Sequence, residues 1–227
     1  MIGICIPAND EQDWLDACLV SALAAARHPE LAGEPVTITV VLDHCRDRTP
    51  LVAARHPVEC LSIDACNVGA ARAAGANHLL ALGARWLAFT DADTRVSERW
   101  LVDQLSLKAD AVCGTISIED WSICGEWADA LRTDFERNYQ DREGHRHVHG
   151  ANFGIDARAY AAVGGFSALT CSEDQALIDA LQSSKKFKIA WSARPRVATS
   201  ARLKSRITDG FAGCLRHAIG TIDKHAS

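Results

Sequence analysis

Trp86-Leu87-Ala88-Phe89-Thr90-Asp91-Ala92-Asp93 is the stretch that decides the fold. Its first five residues are apolar or β-branched, as in a buried strand, and they run without a break into two carboxylates. Asp91-Ala-Asp93 is the only D-x-D in the chain. Two carboxylates at a strand end suit a hard divalent cation such as Mg²⁺ or Mn²⁺, which bridges phosphate oxygens and neutralises charge growing on a departing diphosphate. The same pair also serves to cap a following helix or to decorate a solvated turn. The surrounding pattern has to decide between these uses.

Upstream, apolar runs alternate with helical stripes. Residues 2–6 form a short apolar run ending at Pro7. Trp14, Leu15, Cys18, Leu19, Ala22, Leu23 and Ala26 then recur at helical spacing. Residues 36–42 and 58–63 read as strands, with a polar turn over 43–49 between them, and the Ala-rich residues 67–82 as a helix. Downstream of the D-x-D, residues 98–107 read as a helix and 111–118 as a fifth strand. This rhythm predicts an α/β fold: a largely parallel central sheet in a three-layer α/β/α sandwich. Ligands of such sheets sit beyond the carboxyl ends of the strands. Asn9, Glu11, Asp43, Asp91 and Asp93 all follow strand ends, so the fold gathers them along one edge.

The second half is less regular. Residues 124–138 and 156–163 read as helices, 141–145 as a charged loop and 147–155 as a strand. Gly164-Gly165 marks a turn. Ser172-Glu-Asp-Gln175 opens a helix over 172–181. Residues 187–191 and 196–199 read as two strands, and 207–222 as a helix weakened by its glycines.

Composition narrows the function classes. The chain has 227 residues and a formal net charge of −5, so it lacks the basic excess a nucleic-acid binder working by bulk charge requires. At 48% hydrophobic and 23% charged residues it is globular rather than disordered. Nine cysteines, an odd number with no C-x-x-C, read as reduced thiols in a cytoplasmic protein. The N-terminus lacks a basic leader, and the weakly polar run 17–26 is too short to span a bilayer. No integral membrane segment is expected; peripheral membrane contact is compatible with the sequence.

Taken in order, several segments resemble GT-A fold glycosyltransferases of family 2. They are Ile4-Cys-Ile-Pro-Ala-Asn-Asp-Glu11, Val40-Val-Leu-Asp-His-Cys-Arg-Asp-Arg-Thr49, Asn67-Val-Gly-Ala-Ala-Arg-Ala-Ala-Gly-Ala76 and Leu87-Ala-Phe-Thr-Asp-Ala-Asp93. Gly150-Ala-Asn-Phe-Gly-Ile155, Val163-Gly-Gly-Phe166 and Ser172-Glu-Asp-Gln175 follow in the same order. The resemblance implies a nucleotide-diphosphate sugar donor, a hydroxyl acceptor and inversion at the sugar. It implies that Pro7, Ala8, Asn9 and Glu11 line the nucleoside pocket, that Asp43 bonds the base, and that Arg72 lies near the nucleotide. Asp91 would meet ribose or a metal-bound water, and Asp93 the metal. Asp174 would be the general base, supported by Glu173. No Q-x-x-R-W-like element of processive members occurs, which points to single transfers. The expected organisation is one GT-A-like domain over 1–227: a nucleotide-binding half (1–118), an acceptor half (119–182) and a C-terminal lid and helix (183–227).

Three further readings come from the residues. His145, His147 and His149 alternate, so a strand would place them on one face. His149, with Gly150 and Asn152, suits contact with the acceptor or donor sugar. His217 is a candidate to complete the metal sphere; a plain helix-face histidine is the alternative. Thr199-Ser-Ala-Arg-Leu-Lys-Ser-Arg206 is basic and hydroxyl-rich, and Arg202 and Arg206 are candidates to bond a diphosphate. Two competing functions are a nucleotidyltransferase making a nucleotide-sugar and a non-catalytic sugar-nucleotide-binding module. The first normally opens on a Gly-rich basic loop, where this chain has Pro7-Ala-Asn-Asp-Glu11. A Rossmann dehydrogenase or P-loop enzyme lacks its glycine signature here.

Overall fold

Strand β1 (Ile2–Ala8) lies parallel between β2 (Val36–Asp43) and β4 (Trp86–Phe89), and β2 pairs in parallel with β3 (Glu59–Ile63). The computed structural model describes residues 1–203 and 210–226, the side chains of 222–226 excepted. Strands covered on both faces read as continuous apolar runs, and successive side chains still part to opposite sides. Ile2, Ile4 and Ile6 enter one core with Leu15 and Leu19 of helix α1 (Leu15–Ala26). Cys5 enters the other with Leu79 of helix α3 (Val68–Ala81), which follows the short α2 (Thr49–Ala53). Helix α3 lies so close to the sheet that a Cβ at Gly75 would come within 2.4 Å of Cys5 Sγ.

After β4 come β5 (Thr94–Val96), α4 (Trp100–Ser106) and β6 (Ala111–Ser117), then α5 (Ala128–Asn138), β7 (Phe153–Asp156) and α6 (Ala157–Ala162). Helix α7 (Glu173–Ser184), strand β8 (Ile189–Thr199) and helix α8 (Phe211–Ala226) complete the order. The eight-stranded sheet runs β3-β2-β1-β4-β7-β6-β8-β5. Only β7 and β5 run against the others, so the sheet is mostly parallel, as expected. The carboxyl ends of β1, β2, β4, β6 and β8 therefore share one edge.

Local departures have physical causes. The two strands expected over 187–191 and 196–199 are one, β8. Its pairing with β6 jumps from Gly114↔Ser192 to Thr115↔Arg196, leaving residues 193–195 out of register around Pro195, which has no N–H to give the ladder. The strand expected over 147–155 shrinks to β7, because the three histidines stack on one another instead of pairing in the sheet. The helix expected over 124–138 is broken at Gly125, whose φ of 59° kinks the 3-10 segment Ser122–Trp127 that precedes α5.

No disulfide joins the cysteines among the described residues. Cys5, Cys18, Cys113 and Cys124 are buried, and burial pushes the Cys5 thiol up to about 12. Among the described residues, no helix is long and apolar enough to cross a membrane.

Candidate active site

The site grows from the ends of β1, β2 and β4. Asn9, just past β1, donates its side-chain amide to the Asp43 carbonyl at the end of β2. The buried Asp43 carboxylate accepts three backbone N–H groups at 2.8 Å: Ala65 and Cys66 on Oδ1, Asn67 on Oδ2. A carboxylate offers about four acceptor positions. Asp43 thus rivets the β3–α3 connection to β2 and has one acceptor position left on Oδ2. Asn67 Oδ1 caps α3 by accepting from Ala70 N at 2.9 Å. Pro7 and Ala8 lie in register with Val41 and Leu42 at the carboxyl end of β1.

Arg72, 4% exposed, projects from α3 between two carboxylates. It donates to Asp91 after β4 and pairs with Glu173 at the start of α7. The backbone of Gly150 lies directly over this guanidinium: a Cβ there would stand 2.3 Å from Arg72 Nη2. Gly150 N in turn donates to Asp174 Oδ2 at 2.7 Å, and Gln175 N donates to Oδ1 at 2.8 Å. The adjacent carboxylates therefore differ. Glu173 is buried and locked to Arg72. Asp174 is half-buried, with one N–H on each oxygen and acceptor capacity left over.

A second arginine closes the other side. Arg202, just past β8, donates through both Nη atoms to Glu11 at 2.6 and 2.7 Å and through Nε to Asp93 Oδ2 at 2.9 Å. Glu11 is held in turn by its N–H to Thr49 Oγ1 at 2.6 Å. Burial pushes the Asp93 carboxyl up to about 7; Arg202 opposes the rise, and the nearby Asp91 and Glu11 charges add to it. Across this edge Glu11, Asp91, Asp93, Glu173 and Asp174 face the guanidinium groups of Arg72 and Arg202. Negative charge is in excess, and every donor atom of these carboxylates is a hard oxygen. Oxygen of this kind is what Mg²⁺ and Mn²⁺ take, and here a guanidinium bridges two of the carboxylates; among the described residues they do not converge as a three-ligand group.

Other expected site residues lie differently. Asn152 is fully buried: Oδ1 accepts from Trp100 Nε1 at 2.8 Å, and Nδ2 donates to the Thr115 and Pro195 carbonyls. It ties the turn before β7 to β6 and β8 and presents nothing to a sugar, which corrects the sequence reading. His217 is exposed on α8. Among the described residues, no three-ligand group brings it together with Asp91 and Asp93. Arg206 lies outside the described residues.

His149 joins a feature that sequence reasoning missed. Its Nε2 is 2.9 Å from the Tyr139 hydroxyl, which accepts from Ile116 N at 2.8 Å. Burial pushes the His149 imidazole down to about 3, with the His147 and His145 charges adding to the fall, so it is neutral at ordinary pH. Tyr139 stacks between Phe135 (4.6 Å) and His147 (4.3 Å), and His147 stacks on His149 (5.9 Å). This column borders a cavity of about 290 Å³ lined by Ile116, Ile118, Trp121, Phe135, Glu136, Tyr139 and Asp141 among others. The signal was present: one of only two tyrosines stands beside three alternating histidines.

The model of Glycosyl transferase family 2 matches residues 3–164. No curated protein sequence matches the chain. Among solved structures, S. aureus TarS 1-349 in complex with UDP-GlcNAc superposes with a TM-score of 0.63 at 12% identity, over 92% of this chain and 61% of that one. Glucosyl-3-phosphoglycerate synthase from Mycobacterium tuberculosis, in complex with Mn²⁺, UDP and glucosyl-3-phosphoglycerate, gives 0.60 at 16% identity, over 98% of this chain and 78% of that one. The chain thus spans about three fifths of TarS 1-349, and at these identities the likeness is one of fold.

Proposed function

The chain belongs to glycosyl transferase family 2, and from that premise we propose that it moves one sugar, with inversion, from a nucleotide-diphosphate sugar to an acceptor hydroxyl. The observation that carries this reading is the pairing of a half-buried Asp174 with the Asp91–Asp93 edge through Arg72 and Gly150. Asp174 takes the acceptor proton as the hydroxyl attacks the anomeric carbon from the face opposite the departing diphosphate; a single displacement inverts that centre. Glu173 and Arg72 position Asp174 and the end of β4. Asp43 bonds the base through its remaining acceptor position. Asp93, with Asp91 and Glu11, would hold a divalent cation, which when bound supplies charge neutralisation for the leaving diphosphate. Arg202 then turns from the carboxylates to the phosphates.

The UDP, UDP-GlcNAc and Mn²⁺ complexes of the similar structures support a uridine nucleotide donor and a divalent cation. The aromatic cavity beside Tyr139 supports a neutral, hydroxyl-bearing acceptor. Its carboxylates are already matched by arginines, Asp141 by Arg196 and Glu136 by Arg132. An odd count of nine cysteines with no C-x-x-C supports a reducing compartment such as the cytoplasm. The test is nucleotide release from a panel of UDP-sugars and neutral glycoside acceptors, with Mn²⁺ and with chelator. Acceptor-stimulated release that chelator abolishes is expected; release indifferent to chelator would remove the cation from the reading.

A further inference from the structure

Farther along the same sheet edge, past Asp43, another set of ligand atoms converges. A His44 ring nitrogen, an Asp64 carboxylate oxygen and Cys66 Sγ all lie within 4.8 Å of one another. We infer that these residues form a site for a late first-row divalent ion of the Zn²⁺ type, between the turn after β2 and the connection from β3 to α3.

The donor set separates this site from the one at Asp91 and Asp93. An imidazole nitrogen, a thiolate and one carboxylate oxygen make a borderline-soft set that suits Zn²⁺ and disfavours Mg²⁺ and Mn²⁺, which take oxygen. Zn–S and Zn–N bonds of about 2.3 and 2.0 Å place tetrahedral ligand atoms roughly 3.5 Å apart. Closure therefore needs a movement of about an ångström, well within side-chain reach. His44 Nδ1 and Asp64 Oδ1 already touch.

The backbone is prepared for this arrangement. Asp43, the neighbour of His44, accepts N–H groups from Ala65 and Cys66, so one carboxylate holds both arms of the site. His44 N donates to the Ile63 carbonyl at 3.0 Å, closing the arms from the other side. His44 and Cys66 both adopt left-handed backbone, at φ of 56° and 49°, a conformation the surrounding bonds impose rather than one these residues prefer. Asp64 and Cys66 are exposed, so an ion enters freely and keeps water in its fourth position, the pattern of an open three-ligand site. An ion here clamps the loop whose other end, Asn67, caps α3 beside the donor pocket. The inference stands on these ligands alone and does not need the transfer reaction.

The test uses the full chain, reduced without added thiol, stripped with chelator and titrated with Co²⁺ alone. A near-ultraviolet thiolate-to-cobalt charge-transfer band saturating at a single equivalent is expected. Cys66→Ser should abolish that band. His44→Asn, whose new residue tolerates left-handed backbone, should weaken Co²⁺ binding on the order of tenfold or more. Cys60→Ser and Asp93→Asn should leave the band in place. Absence of the band in the parent chain, or its survival in Cys66→Ser, would overturn the site.

Discussion

Replacing Arg202 with alanine removes a guanidinium that bridges Glu11 and Asp93. The Arg202 side chain is 26% exposed, and each carboxylate side chain 11%. Truncating one partner of a buried ion pair costs about 3–5 kcal/mol, because the remaining charge is left uncompensated. Arg202 keeps some water contact, so the lower end, about 3 kcal/mol, is the appropriate figure. For a chain of this size each kcal/mol moves Tm by roughly 2–4 °C, giving a fall of roughly 6–12 °C in chelator. Excess Mn²⁺ should then do more for the variant than for the parent. In the parent a cation has to displace the guanidinium from Asp93; in the variant that competitor is gone. At a hundredfold excess over Kd, binding is worth about 2.7 kcal/mol, enough to restore most of the loss. The assay is calorimetric Tm of both proteins in chelator and in excess Mn²⁺. An unchanged Tm in chelator, or a Mn²⁺ gain no larger in Arg202→Ala than in the parent, would refute the reasoning.

Other expectations follow from the same geometry. Gly150→Ala drives a methyl into the Arg72 guanidinium and should cost about 1–3 kcal/mol, read as a drop in the denaturant midpoint. His149 has its folded pKa depressed to about 3, below the ordinary value of 6.5. Between those values the unfolded chain binds more protons than the folded one, so stability should fall as pH drops from about 6.5 toward 3 and stay level above. His149→Gln should flatten that slope in urea unfolding curves between pH 4 and about pH 7; an identical slope would place the proton elsewhere.

The parts legible in the sequence were those with a local physical signature. Strands β1, β2 and β4 are covered on both faces, so each appears as an unbroken apolar run, and the carboxylates that follow them could be assigned to one edge. Strand β5, three residues long, has no room to show alternation. Strand β8 was seen as two pieces because Pro195 interrupts it where the register slips. At the site, residue types were legible and partners were not. The basic segment marks Arg202 as a candidate for phosphates, but its contact with Glu11 spans 191 positions and leaves no periodic trace. Asn152 was misplaced for a related reason: an asparagine beside a glycine looks alike in sequence whether it faces a cleft or fastens three strands from inside. The stacking of Tyr139 between Phe135 and His147 likewise depends on how α5 returns to β6.

The central claim is that Asp174 takes the proton from the acceptor while the Asp91–Asp93 edge holds the donor. Asp174→Asn tests it most directly, with UDP-sugar affinity and sugar transfer measured on the same preparation. Asparagine keeps an oxygen for the Gly150 N–H and cannot accept the proton. The account predicts donor affinity within roughly a factor of two of the parent, and transfer lowered by about 10²–10⁴-fold, the usual share of a general base. Transfer at the parent rate in Asp174→Asn would contradict it.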